Sequence, residues 1–96
     1  MLESAYQNKL IRKLKRQYPG CIILKNDSSY IQGIPDLSIF QGPCWATLEV
    51  KASYDSEEQP NQRYYVDLMN EMSFSSFIFP ENEKEVLHHL QQSFKS

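Results

Sequence analysis

Two acidic residues and one lysine are spaced in a way that suits chemistry on phosphate esters. Asp36 follows Pro35, twelve residues separate it from Glu49, and Lys51 stands two positions further on. Two carboxylates held close together on rigid strands repel each other unless a cation lies between them. Magnesium suits such a position because it accepts carboxylate oxygens, keeps several waters and binds substrate phosphate. The spacing therefore predicts a site for Mg²⁺, or for Mn²⁺, beside a lysine.

Each of these residues has a predicted role in the hydrolysis of a phosphodiester bond. That reaction needs neutralised charge on the phosphate, an activated water and a stabilised leaving oxygen. Asp36 and Glu49 are predicted to hold the metal ion, and the backbone carbonyl of Val50 is a candidate for a further ligand. Lys51 is predicted to orient or deprotonate the attacking water, because a nearby cation and partial desolvation disfavour the charged lysine.

Two neighbouring strands must bring these side chains to one point. Residues 35–40 are predicted to form a strand that begins at a proline, where the missing N–H is tolerated. Residues 45–51 alternate apolar side chains with polar ones, and Glu49 and Lys51 share the polar side. The turn at residues 41–43 is short enough to join the two strands as a hairpin. The hairpin would bring both acids and the lysine together.

Helical periodicity marks three further segments. Residues 3–18 and 82–94 each repeat apolar side chains at steps of three and four. A helix is also predicted to begin near Pro60, a favoured first helical residue, and to run to about Met72. Its predicted inward face consists of Tyr65, Leu68, Met69 and Met72.

Two short strands complete the predicted sheet. Residues 21–24 form a nearly continuous apolar run, which is typical of a buried strand. Residues 77–79 form a fourth strand, which Pro80 closes. The predicted order is α-β-β-β-α-β-α, which indicates a single α/β domain over residues 1–96.

Composition bounds the class of protein. The chain has 96 residues, 41% of them hydrophobic, which suits one domain and excludes a disordered chain. No apolar run approaches the roughly 18 residues that a membrane span needs. The first residues lack the profile of a signal peptide, so we predict a cytoplasmic protein with neither a membrane nor a nucleotide cofactor as partner. Cys21 and Cys44 have no zinc spacing and are predicted to be reduced, although one disulfide between them stays open.

Charge is distributed unevenly along the chain. The net charge of −2 is unusual for a protein that binds nucleic acid, but the first helix is basic. Lys9, Lys13 and Lys25 are candidates for contacts with DNA phosphates, and Tyr30 is a candidate for stacking on a base. The alternatives are a solvated helix face for the lysines and an ordinary loop aromatic for Tyr30.

The motifs together resemble a known family. The pattern G-I-P-D-L at residues 33–37, L-E-V-K at 48–51 and a helix opening P-N-Q at 60–62 is similar to the PD-(D/E)xK nuclease superfamily. More narrowly, it resembles the VRR-NUC (virus-type replication-repair nuclease) family. The likeness runs from about Glu3 to Phe79, nearly the whole chain.

The resemblance implies a fold and a set of site residues. The fold is a restriction-endonuclease-like core, a mixed four-stranded sheet flanked by helices. Asp36 and Glu49 match the metal-binding acids, and Lys51 matches the catalytic lysine. Glu3 matches an acid of the first helix that completes the metal site, directly or through water. Gln62 matches a glutamine that faces the active site.

The resemblance also implies a function. Stand-alone members of the family are similar in size, act as homodimers and are associated with phage and with branched DNA such as four-way (Holliday) junctions. We therefore expect a homodimeric endodeoxyribonuclease dependent on Mg²⁺ or Mn²⁺, in the cytoplasm of a bacterium or of a phage-infected host. Two alternatives stay open: a DNA-binding module that no longer cuts, and a subunit that needs a partner protein. The acidic stretch at residues 55–58 departs from what a broad DNA-binding surface requires.

Overall fold

The predicted order of elements is confirmed. A computed structural model describes residues 1–95 of the chain and contains three helices and four strands in that range. The elements are α1 (Glu3–Gln17), β1 (Ile22–Lys25), β2 (Leu37–Gln41), β3 (Cys44–Val50), α2 (Gln62–Met72), β4 (Phe74–Ile78) and α3 (Glu83–Lys95). Within residues 1–95, none of the helices combines the length and the hydropathy required to cross a bilayer.

The four strands form one mixed sheet in the order β1-β2-β3-β4. The first three strands are antiparallel, and the predicted hairpin joins β2 to β3 with Gln41 paired to Cys44. β4 runs parallel to β3, so the chain must cross over between them, and α2 makes this crossover. The mixed sheet and its flanking helices agree with the predicted α/β class.

The main hydrophobic core lies between the sheet and the pair of helices α1 and α3. Leu10 and Leu14 of α1 and Leu90 of α3 are at most 1% exposed. They pack in one cluster with the apolar side of the strands, where alternation puts every second residue on the same face. The strand residues of this cluster are Leu37, Ile39, Ala46, Leu48, Val50 and Ile78.

Helix α2 covers the opposite face at β3 and β4, but only half of the predicted inward stripe is covered, since Tyr65 and Met69 are half-buried. Val66 is the buried residue of the helix, whereas Leu68 and Met72 of the predicted inward stripe are 38% and 65% exposed. The sheet surface beneath α2 is polar, since Thr47 and Ser75 hydrogen-bond to each other there. A polar surface offers little apolar area for the stripe to bury, so the prediction from periodicity was wrong for Leu68 and Met72.

Strand β1 is half exposed, which corrects the prediction of a buried strand. It is the edge of the sheet, and Ile22 and Leu24 are 60% and 49% exposed. Only Ile23, between them, packs against the core. The exposed side continues onto β2 at Phe40, which pairs with Ile22. The physical reason is that α2 packs on β3 and β4 and leaves this part of the sheet face open.

Three boundaries differ by two or three residues from those predicted. β2 begins at Leu37 rather than at Pro35, because pairing with β3 starts only there. α2 begins at Gln62 rather than near Pro60, because Asn61 has a left-handed backbone with φ of 70°. β4 begins three residues earlier than predicted, because its backbone pairs with β3 from the first residue after the helix turn.

Candidate active site

The β2–β3 hairpin brings the two predicted acids together. Leu37 pairs with Leu48, so Asp36, just before β2, lies beside the carboxyl end of β3. There its Oδ2 accepts a hydrogen bond of 2.9 Å from the backbone N–H of Val50. Glu49 occupies the position before Val50 and points to the face of the sheet opposite the main core.

Glu49 is a buried acid with one unsatisfied oxygen. It is 1% exposed, its Oε2 accepts a hydrogen bond of 3.1 Å from Gln62 Nε2, and its Oε1 has no partner within residues 1–95. Burial is the main reason that the pKa of Glu49 rises to about 9. The nearby carboxyl group of Asp36 acts in the same direction, whereas Lys51 acts against them.

These properties fit a divalent cation. A buried carboxylate oxygen without a donor, next to a second carboxyl group, gains a partner and loses repulsion when a cation binds. The donors are oxygens, as Mg²⁺ and Mn²⁺ prefer. Asp36 and Glu49 are the residues that would hold the ion, and Val50 lies beside them at the end of β3. The role of its carbonyl as a ligand stays a prediction.

Glu3 is close enough for its charge to act on Glu49. That charge contributes to raising the pKa of Glu49, which places the start of α1 near the acids. However, residues 1–95 contain no group of three or more His, Cys, Asp or Glu side chains arranged to hold a metal ion. The role of Glu3 in the metal site, directly or through water, stays a prediction.

Lys51 is held beside the acids by two acceptors. It is 6% exposed, and its Nζ donates to Gln62 Oε1 at 2.8 Å and to the backbone carbonyl of Glu57 at 3.0 Å. The same Nζ lies 4.0 Å from Glu49 Oε2. The amide of Gln62 therefore bridges the acid and the lysine, with its oxygen towards Lys51 and its nitrogen towards Glu49. This contact agrees with the prediction that Gln62 faces the site.

Two loops set the position of Gln62. Gly33 has φ of +89°, and a Cβ atom there would lie 2.6 Å from the backbone carbon of Asn61. This close approach requires glycine, because real Cβ contacts are never so short. The loop before β2 therefore touches the residue that immediately precedes Gln62. Substitution of Gly33 would push on the start of α2 and disturb the bridge to Lys51.

A cleft of about 360 Å³ opens between these loops. Asp36 and Gln62 lie on its wall, so the cleft gives access to the candidate site. The rest of its polar lining is uncharged and consists of Ser28, Ser29, Gln32 and Gln59. Hydroxyl and amide groups of this kind can donate hydrogen bonds to phosphate oxygens.

The predicted DNA-contact residues lie apart from one another. Lys13 forms an ion pair with Glu83 of α3, and the charge of Lys9 also acts on Glu83. Lys25 Nζ lies 3.5 Å from Asn8 Oδ1 on α1. Lys9 and Lys13 therefore lie on the side of α1 that faces α3, whereas Lys25 lies on β1 and pairs with Leu37, the residue after Asp36. Tyr30 is 85% exposed and borders a separate apolar cavity with Ile31, Ile34 and Met69.

Sequence reasoning missed two groups that shape the site. Asn26 donates from its side chain to the carbonyl of Pro35 and to Ser38 Oγ, and its backbone N–H donates to the carbonyl of Asp36. It thereby holds the segment that carries the first acid. The second group is the carbonyl of Glu57, which binds Lys51. The only signal for Asn26 was its place directly after a strand, where Asn often binds nearby backbone.

Comparisons with known proteins give no relative. The chain matches no family model, no curated protein sequence and no solved structure. Any functional assignment must therefore come from the motifs and from the geometry described above.

Proposed function

We propose that this protein is a metal-dependent DNA endonuclease of the PD-(D/E)xK type. The observation that carries the proposal is the meeting of Asp36, Glu49 and Lys51 at the end of two paired strands. One buried oxygen of Glu49 lacks a partner there, and the lysine ammonium lies 4.0 Å from the other oxygen. Two carboxyl groups and a lysine at such distances have little structural use, because burying them costs stability.

Each residue of the site has its own role in phosphodiester hydrolysis. When bound, Mg²⁺ or Mn²⁺ neutralises charge on the phosphate and makes a water more acidic. Asp36 and Glu49 hold the ion. Lys51 has three N–H donors, of which Gln62 and Glu57 engage two, so one is left for the phosphate or the attacking water. Gln62 is a positioning residue, since its amide binds both Glu49 and Lys51.

The preference for branched DNA, such as four-way junctions, is part of the same proposal and is supported by the motif resemblance alone. The charge distribution is compatible with a substrate recognised by shape rather than by a broad basic surface. The net charge is −2, and the lining of the cleft other than Asp36 is uncharged. Few phosphate contacts mean a weak dependence of affinity on salt.

A substrate panel tests the proposed activity. Purified protein with Mg²⁺ or Mn²⁺ is expected to cut at least one of duplex, single-stranded, flap and four-way DNA. Asp36→Ala should abolish the cleavage, whereas Glu85→Ala, an exposed acid of α3, should leave it unchanged. Binding without cleavage by the wild type would favour the non-cutting module. Cleavage only after addition of a partner protein would favour the dependent subunit.

We also propose that the protein acts as a homodimer. The support is the open part of the sheet face, where Ile22, Leu24 and Phe40 are 60%, 49% and 39% exposed. Clustered apolar side chains on a soluble domain commonly mark an interface, and two-fold pairing is the commonest form of self-association. Sedimentation analysis should give a dimer for the wild type and a monomer for Leu24→Asp. A monomeric wild type at all concentrations would contradict the proposal.

A further inference from the structure

A second cavity adjoins Lys51 outside the cleft at Asp36. Its volume is about 210 Å³, and none of its lining residues also lines that cleft. The cavity is large enough to receive one planar ring system. Besides Lys51, its lining includes Ser53, Tyr54, Ser56, Arg63 and Phe77.

Two planar groups in the wall of this cavity hold each other in place. Arg63 lies over the ring of Phe77, with its central carbon 4.4 Å from the ring centroid, and its guanidinium also binds Glu58. Tyr54, in the loop after β3, also lines the cavity and is 71% exposed. Rigid aromatic and guanidinium planes are the surfaces on which nucleobases stack.

The charged groups of the cavity already have partners, and one of these groups is a carboxylate. Lys51 donates to Gln62 and to the carbonyl of Glu57, and Arg63 donates to Glu58. The carboxylate of Glu58 also lines the cavity and would repel a phosphate. The hydroxyls of two serines on the wall can both donate and accept, as the edge of a neutral base requires.

We propose that this cavity binds the base of an unpaired nucleotide next to the phosphate that is cut, with Tyr54 as its stacking residue. The inference rests on the proposed nuclease function and names the substrate class. The ammonium of Lys51 joins the two sites, since it borders the cavity and lies 4.0 Å from Glu49 Oε2. A base inside a duplex is stacked and paired, so only an unpaired or extruded nucleotide can enter. Suitable substrates are therefore flaps, bulges and junction centres.

The first test measures binding in Ca²⁺, without cleavage, to flap DNA carrying 2-aminopurine at the unpaired position nearest the cut. The wild type should quench the fluorescence by stacking. Tyr54→Ala should lose the quench and bind roughly 5- to 150-fold more weakly, from the typical strength of stacking per base. Tyr54→Phe should keep both. The matched control is Tyr64→Ala, because Tyr64 is 61% exposed but lies outside the cavity.

The second test replaces the unpaired base by an abasic sugar. The KM of the wild type for the abasic flap should then be as high as the KM of Tyr54→Ala for the intact flap. Tyr54→Ala acting on the abasic flap should show no further rise in KM. If the wild type cuts intact and abasic flaps with the same KM, the proposal that the cavity binds a base is wrong. The nuclease proposal is then unaffected. If inorganic phosphate instead competes with DNA for the wild type but not for Tyr54→Ala, that result would assign the cavity to an anion. If the wild type neither cuts nor binds any DNA, both proposals fall.

Discussion

The two faces of the sheet bury different kinds of residue. On one face, α1 and α3 enclose an apolar core in which Leu14, Leu48 and Ile78 have no measurable exposure. On the other face, α2 covers only β3 and β4, and buried polar residues take the place of a core. These residues are Ser38, Thr47, Glu49, Lys51 and Ser75.

The difference shows how a small domain separates stability from chemistry. The apolar face supplies most of the hydrophobic stabilisation, which is proportional to the apolar area removed from water. The polar face carries an unsatisfied oxygen of Glu49 and a lysine buried beside it, both of which cost stability in a protein without bound ligands. A domain of 96 residues can hold such a site because the opposite face is fully packed.

The largest expected effect concerns the polar face. Lys51→Ala should lower the cleavage rate by about 100- to 10,000-fold, the usual contribution of a positioned proton-transfer group. Metal affinity, measured by titration calorimetry, should stay within a few-fold of the wild type because the acids are intact. Lys84→Ala, an exposed lysine of α3, serves as the control. If Lys51→Ala cuts DNA at the wild-type rate, Lys51 has no role in the catalytic step.

The core of the apolar face should give the next largest effect. Leu48→Ala should lower the free energy of unfolding by about 2–5 kcal/mol, because it leaves a cavity at a residue with no exposure. Leu68→Ala, at a position 38% exposed on α2, should cost less than about 1 kcal/mol. Urea denaturation compares the two. Equal losses would mean that a second copy of the chain, or another partner, buries the exposed stripe of α2.

Two glycines separate the effect of backbone strain from the effect of a contact made by an added Cβ atom. Gly20 and Gly33 have φ of +85° and +89°, so alanine at either position pays about 1–2 kcal/mol for a left-handed backbone. A Cβ at Gly20 meets nothing within 4 Å, whereas one at Gly33 lies 2.6 Å from Asn61. Gly33→Ala should therefore lose more stability than Gly20→Ala in urea denaturation. It should also cut DNA several-fold more slowly, because Gln62 moves with Asn61. Identical losses would show that the loop contact is easily relieved.

The last effect is a dependence of stability on pH without metal, which is small for any single pH unit. The pKa of Glu49 is raised in the folded protein, to about 9, so between its unfolded value and that pKa the folded state binds more protons. Stability should therefore fall as pH rises from about 5 to 9, by at most ~1.4 kcal/mol per pH unit. Glu49→Gln should remove this part of the slope. Urea denaturation in EDTA measures it, and parallel slopes for the two proteins would contradict the burial of a protonated Glu49.

Much of the fold followed from local patterns in the sequence. Period-two alternation and the short turn at residues 41–43 correctly predicted the β2–β3 hairpin, and helical periodicity predicted three helices in the right order. The meeting of Asp36, Glu49 and Lys51 also followed, because the pairing of adjacent strands depends on residues close together in the chain. Their catalytic and metal-binding roles, by contrast, stay predictions.

Contacts between distant segments decided the rest. The buried side of α2 and the exposure of Ile22 depend on which strands a helix covers, and no periodicity within one segment contains that information. Lys13 illustrates the same limit, since its partner Glu83 lies 70 residues away. The sequence by itself therefore determined the elements, their order and the hairpin that unites the acids. Only the tertiary structure decided which faces are covered and which acceptors hold each charge, because burial and long-range hydrogen bonds exist only once separate segments pack together.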